Sequence, residues 1–173
     1  IGDSVTSIGG NAFSYCSSLT SVTIGNSVTS IGNGAFESCG DLTSVTFEEN
    51  SQLTRLTQKL FYGCGKLTSI VIPNSVTNIE LSAFERCKAL TSVTIPDSVT
   101  EIGEYAFSGC SSLTEINIPE SVTSIGALAF DDCSSLNQSD TLTYGTVEQA
   151  IAEGRTRLCA FCAKKDEITG VVT

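Results

Sequence analysis

Apolar and small polar residues alternate along this chain in a frame that keeps returning. "SIGGNAFSYCSSLTSVTI", residues 7–24, comes back as "SIGNGAFESCGDLTSVTF", "NIELSAFERCKALTSVTI" and "EIGEYAFSGCSSLTEINI", and in part as "SIGALAFDDCSSL". Within the first copy Leu19, Val22 and Ile24 form an L-x-x-V-x-I set, with Ser21 and Thr23 between the last two. That period of two predicts a half-buried strand. The equivalents are Leu42-Val45-Phe47, Leu67-Ile70-Ile72, Leu90-Val93-Ile95 and Leu113-Ile116-Ile118. Gly25, Pro73, Pro96 or Pro119 follows, and proline, which lacks an N–H, ends ladder pairing and turns the chain. A second apolar pair comes next, Val28 and Ile31, repeated as Val76 and Ile79, Val99 and Ile102, Val122 and Ile125. The "AFxxC" step is too brief for more than a helical turn or a 3₁₀ piece.

The repeat has a fixed length. Cysteines stand at 16, 39, 64, 87, 110 and 133, and phenylalanines at 13, 36, 61, 84, 107 and 130. Both sets are spaced by 23, 25, 23, 23 and 23 residues. A period in the twenties marks a leucine-rich-repeat-like solenoid. The expected architecture is about six 23-residue coils. A parallel β-sheet lies on one face, and short turns or 3₁₀ pieces lie on the other. One coil cannot bury its apolar side, but coils stacked at roughly 4.8 Å can. The two extra residues fall in "FEENSQLTRL".

Periodicity also explains the thiols. A coil returns to the same place each period, so Cys16, Cys39, Cys64, Cys87, Cys110 and Cys133 should form an inner column beside the phenylalanines. Free cysteine suits such a place as a small apolar side chain. Parallel Cβ vectors in stacked coils hold the Cβ atoms near the strand spacing, wider than the ~3.8 Å a disulfide prefers. The column therefore reads as a structural ladder of buried thiols, ahead of disulfides or a metal site. No metal ligands and no cofactor are expected. The glycines after Ile8, Ile31, Ile102 and Ile125 recur with the repeat and read as turn glycines, not as a phosphate loop.

The stretch "IPDSVTEIGEYAFSGCSSLTEINIP", residues 95–119, resembles the BspA-like leucine-rich repeat, and the resemblance covers residues 1 to about 136. It implies a curved solenoid of the kind found in surface-exposed or secreted proteins of host-associated bacteria and some protists, with adhesion or protein binding as the proposed role. It brings no catalytic residues. The first residues, "IGDSVT", match "IPDSVT" at 95–100, so the chain is expected to start inside a repeat of a longer protein.

The frame fails after Leu136, where Ser139 and Thr141 replace the apolar strand residues. Residues 1–137 are thus expected to be the solenoid and 138–173 a C-terminal cap, since open solenoid ends need a polar cover. "TVEQ", residues 146–149, has a capping-box pattern, and Val147, Ala150, Ile151, Leu158 and Phe161 follow a helical stripe. A helix near 146–163 closing the last coil is the expectation. Cys159 and Cys162 form the one C-x-x-C, open to a redox or shared-metal reading but lacking His partners and a βαβ context.

Charge narrows the partners. Nine basic and nineteen acidic residues give a net charge of −10. Nucleic acid would be repelled, and no apolar run is long enough for membrane insertion. Glu101, Glu104, Glu115, Glu120, Asp131 and Asp132 read as solvated charge, because no calcium-loop pattern gathers them. The open sheet face is predicted at Ser21, Thr23, Ser44, Thr46, Ser69, Val71, Ser92, Thr94, Glu115 and Asn117. It is the candidate surface for a protein or glycan ligand, with Glu115 and Asn117 breaking the Ser/Thr run. The expected function is a non-enzymatic binding module, on a cell surface or extracellular by the family resemblance. A redox or metal role for Cys159 and Cys162, an ice- or crystal-binding Ser/Thr ladder, and an architectural spacer are the alternatives.

Overall fold

The computed structural model describes residues 1–2 and 4–138. They form a right-through stack of coils with eleven short strands, all pairing in parallel. The L-x-x-V-x-I segments supply β2 (Ser21–Ile24), β4 (Ser44–Phe47), β6 (Ser69–Val71), β8 (Ser92–Thr94) and β10 (Glu115–Ile116). These pair in the order β2-β4-β6-β8-β10 as one five-stranded sheet. About five coils thus carry the predicted strand. The next coil passes Phe130 and Cys133 and ends in a 3₁₀ turn, Ser134–Gln138, where the apolar alternation has stopped. The expected cap at 138–173 lies outside the described residues from 139 onward, with its helix near 146–163 and the pair Cys159 and Cys162.

The sequence reading placed a sheet on one face only. The structure has a second sheet, built by the segments around the second apolar pair. These supply β1 (Ser7–Ile8), β3 (Ser30–Ile31), β5 (Arg55–Leu56), β7 (Asn78–Ile79), β9 (Glu101–Ile102) and β11 (Ser124–Ile125). Each strand is two residues long, with the polar residue outward and the apolar one buried in all six. β5, β7, β9 and β11 are continuous, whereas β1 and β3 pair separately. The break between β3 and β5 falls on the two-residue insertion. Threonines flank both sheets and reinforce the stack. Thr43 Oγ1 donates to Thr20 O at 2.9 Å and Thr91 Oγ1 to Thr68 O at 3.0 Å beside the first sheet. Thr77 Oγ1 to Thr54 O and Thr123 Oγ1 to Thr100 O, each at 3.2 Å, do the same beside the second.

The "AFxxC" steps form a third column. Their N–H groups donate to the following coil, as in Phe61 N to Ala83 O and Phe84 N to Ala106 O, both at 2.8 Å. Two residues in each coil take positive φ to aim those donors outward along the stack, for example Ser82 (57°) and Arg86 (62°), Tyr105 (55°) and Gly109 (73°). This alternation breaks any helical run, so of the short turns or 3₁₀ pieces expected on this face the steps form tight turns. The glycines after the isoleucines differ from expectation too. Gly103 has no positive φ. A Cβ there would stand 2.7 Å from the carbonyl carbon of Glu80 and 3.0 Å from Ile79 O. Its role is to let one coil's backbone approach the next.

The core is a set of columns. Phe36, Phe61, Phe84 and Phe107 are fully buried, and Phe13 and Phe130 continue the line. Neighbouring rings stack with centroids 5.1–5.7 Å apart and planes within 20°. Cys39, Cys64, Cys87, Cys110 and Cys133 are buried beside them. Cys16, expected in the same inner column, is exposed, since no described coil stacks against its outer side.

Candidate functional site

The open face of the five-stranded sheet is where the predicted binding residues meet. Parallel register sets Ser21 against Ser44, Ser44 against Ser69, Ser69 against Ser92 and Ser92 against Glu115. A second line runs beside it, with Thr23 against Thr46 and Val71 against Thr94. Asn117 lies one residue beyond the end of β10. All ten are exposed except Ser92, which is half-buried. The strand period explains this, because the intervening Val45, Ile70, Val93 and Ile116 point into the core and are buried.

Two depressions lie on the face. The smaller, about 330 Å³, lies between β8 and β10, and Thr94, Glu115 and Asn117 line it. The larger, about 700 Å³, lies between β4 and β6. Its origin is local. Five residues separate Phe47 from Leu53, where three separate Ile72 from Val76 in the next coil. The longer loop turns through Asn50 at φ 60° and stands off the coil. Pairing between β4 and β6 is reduced to Ser44 against Ser69, while β6 and β8 keep three pairs. Loop and strand ends thus splay apart and leave a cleft. Sequence reasoning placed the selective part of the face at Glu115 and Asn117 and missed this cleft. Two signals pointed to it: the 25-residue interval, and a valine at position 71 where three other coils carry threonine.

The cleft has a defined chemistry. Val71 on its rim is 68% exposed, one of two large apolar side chains so exposed among the described residues. Glu48 and Glu49 stand on the loop wall. Glu48 Oε2 accepts from Asn26 N at 3.2 Å. Ion pairs among the described residues are Arg55–Glu80, Lys66–Asp41 and Arg86–Glu85, so neither cleft glutamate faces a cation. Ser51 lines the cleft with its side chain buried, and its Oγ accepts from Leu53 N at 3.4 Å.

The thiol ladder does something the sequence did not show. Each buried thiol donates to the carbonyl oxygen of the phenylalanine one coil back. Cys39 reaches Phe13 O at 3.1 Å, Cys64 reaches Phe36 O at 3.2 Å, Cys87 reaches Phe61 O at 3.2 Å and Cys110 reaches Phe84 O at 3.2 Å. Cys133 reaches Phe107 O at 3.1 Å. The same carbonyls accept the N–H of the cysteine in their own coil, as Phe61 O does from Cys64 N at 3.1 Å. Both lone pairs of a buried carbonyl are thus used. Burial pushes the Cys87 thiol up to about 12. Burial also raises Cys110, as does the hydrogen bond to Cys39, with burial, for Cys64. Cys39, one coil in from the exposed Cys16, is lowered by its hydrogen bond with Cys64. The raised thiols Cys64, Cys87 and Cys110 lack the lowered pKa that activates a cysteine nucleophile. Among the described residues no three His, Cys, Asp or Glu side chains converge as metal ligands, and no helix is long and apolar enough to cross a membrane.

Stacked L-x-x-V-x-I strands on a column of buried Phe and Cys define a leucine-rich-repeat solenoid. The profile of the BspA type leucine rich repeat region matches residues 1–87 and 54–148, in six copies. The chain belongs to that family. Three solved structures show the same architecture. A leucine-rich repeat protein from Eubacterium ventriosum is 32% identical with a TM-score of 0.73, over 82% of this chain and 38% of its own. One from Bacteroides ovatus is 32% identical with a TM-score of 0.64, over 75% and 39%. A leucine rich cell surface protein from Faecalibacterium prausnitzii is 36% identical with a TM-score of 0.57, over 76% and 41%. The chain therefore spans well under half the length of these proteins. No curated protein matches it.

Proposed function

We propose that this solenoid is a non-enzymatic binding module whose ligand, a protein or a glycan, docks on the open face of β2, β4, β6, β8 and β10. We place it in a surface-exposed or secreted, adhesin-like protein. The observation that carries the reading is the in-register column from Ser21 to Glu115, with both depressions on that one face. A rigid row of exposed groups is an ordered surface that loses little entropy on binding. The cell-surface description of the Faecalibacterium relative supports the location. Serine and threonine offer hydroxyls in register but little area, so affinity needs the places where the row is broken. Val71, Glu115 and Asn117 are those breaks. They also weigh against a regular ice- or crystal-binding ladder.

The test is a glycan array and a pull-down with the wild type beside a Glu115→Lys, Asn117→Lys double variant. Loss of a captured ligand in the variant supports the open face. Unchanged capture, together with loss on substituting Asn78 and Glu101 of the second sheet, would move the site to that sheet.

A further inference from the structure

We propose that the cleft between β4 and β6 takes an extended peptide segment of another protein, one that carries a lysine or arginine beside an apolar residue. The inference rests on the open face being a binding surface, and gives that reading a place and a chemistry. Three independent features of the cleft ask for such a segment. The first is its size, about 700 Å³. That lies within the range of roughly 300–1,000 Å³ typical of ligand sites. The second is charge. Glu49 is exposed on one wall beside Glu48, whose Oε2 accepts from Asn26 N of the preceding coil; neither has a cation in ion-pair reach among the described residues, and residues 1–54 contain no Lys or Arg at all. The local field attracts a cation and rejects an anion. The third is polarity at depth. Ser51 is 8% exposed and accepts one hydrogen bond from Leu53 N, and its own hydroxyl proton has no acceptor among the described residues. An incoming peptide carbonyl supplies that acceptor.

Val71 decides between ligands. It replaces the threonine of the neighbouring coils with an exposed aliphatic surface at the rim. A lysine or arginine lays its methylene stem along such a surface while its head reaches a carboxylate. A neutral sugar has no cation for Glu48 and Glu49. Nucleic acid brings the wrong sign of charge.

The test uses the full 173-residue chain. The probes are two fluorescein-labelled hexapeptides, one alternating arginine with valine and one alternating glutamate with valine, read by fluorescence anisotropy at low salt. The arginine peptide is expected to bind saturably below about 1 mM, and the glutamate peptide not to bind. Changing Glu48→Gln and Glu49→Gln together is expected to weaken binding about tenfold or more. Val71→Thr, which restores the residue type of three other coils without disturbing the core, is expected to weaken it about threefold or more. A control variant on the second sheet, Asn78→Ser, should bind as the wild type does. Absence of saturable binding by the arginine peptide overturns the proposal. So does loss in the glutamine variant with none in Val71→Thr, since that is unspecific charge attraction. Loss confined to the Glu115 and Asn117 variant overturns the cleft while leaving the open face as the binding surface. A ligand that maps to the second sheet overturns both.

Discussion

At the residue scale, cysteine recurs because it is both small and a donor. Alanine would fill much of the space but leave the second lone pair of a buried phenylalanine carbonyl without its S–H. The buried thiol also makes stability depend on alkaline pH. An unperturbed thiol, as in the unfolded chain, has a pKa of 9.0, and Cys87 in the fold has one of about 12. The unfolded chain therefore gives up this proton first. The stability held by the protonated thiol is whole below about pH 9 and is lost as pH rises toward 12, at about 1.4 kcal/mol per pH unit. Cys87→Ala is expected to lose about 1–2 kcal/mol at neutral pH. Its denaturant midpoint should then fall less steeply than the wild type's between about pH 9 and 11. Parallel pH profiles would show that this thiol already ionises in the fold.

Two glycines separate two causes at the same scale. A Cβ on Gly109 meets only ordinary contacts with Arg86, so Gly109→Ala pays for its φ of 73° alone, about 1–2 kcal/mol. A Cβ on Gly103 collides with the backbone of the preceding coil, so Gly103→Ala should force the coils apart and cost about 3 kcal/mol or more. Urea melts of the two variants measure the difference. Equal losses would mean that coil spacing is not set by backbone contact at Gly103.

At the element scale, the longer strands and the core columns were legible because they repeat with a strict period and a strand's alternation. Leu42, Val45, Phe36 and Cys39 needed nothing beyond spacing. The second sheet was hidden because its strands hold two residues, as in Ser30-Ile31, too few to show a period. The turn geometry was hidden for another reason. Ser82, Tyr105, Leu128 and Gly34 all take positive φ at one place in the coil, although they share no chemistry. The hydrogen bonds of the stack impose that conformation, and the residue only tolerates it. Cys16 was misplaced because its sequence context matches buried copies, while burial depends on a neighbouring coil. The cleft was visible only as an irregular interval. Deleting Glu49 and Asn50 restores a period of 23, and the account expects the β4–β6 ladder to extend past Ser44 and the cleft to close. Amide exchange at Thr46 and Val71 should then slow by about tenfold or more. Unchanged exchange would show that the splaying does not come from loop length.

At the scale of the whole molecule, the solenoid is a one-dimensional stack in which each coil leans on its neighbours. Phenylalanine rings stack without a break from Phe13 to Phe130 and thiol donors run from Cys39 to Cys133, while the flanking threonine bonds form two runs beside each sheet, parted between Thr43 and Thr68 and between Thr29 and Thr54. The first sheet is continuous but thinned between β4 and β6, and the second is interrupted between β3 and β5. The same irregularity thus weakens the stack and shapes its surface. The columns build rigidity, and the exposed face spends it on presenting groups at fixed intervals. The central claim is that this face, and no other, meets the ligand. Hydrogen–deuterium exchange of the full chain, with and without a ligand captured on the array, tests it most directly. The account predicts new protection in β4, β6, β8 and β10 and in the loop at 48–52, with the strands β5, β7, β9 and β11 unchanged. Protection confined to those four strands, or to the turns around Tyr62 and Arg86, would contradict it.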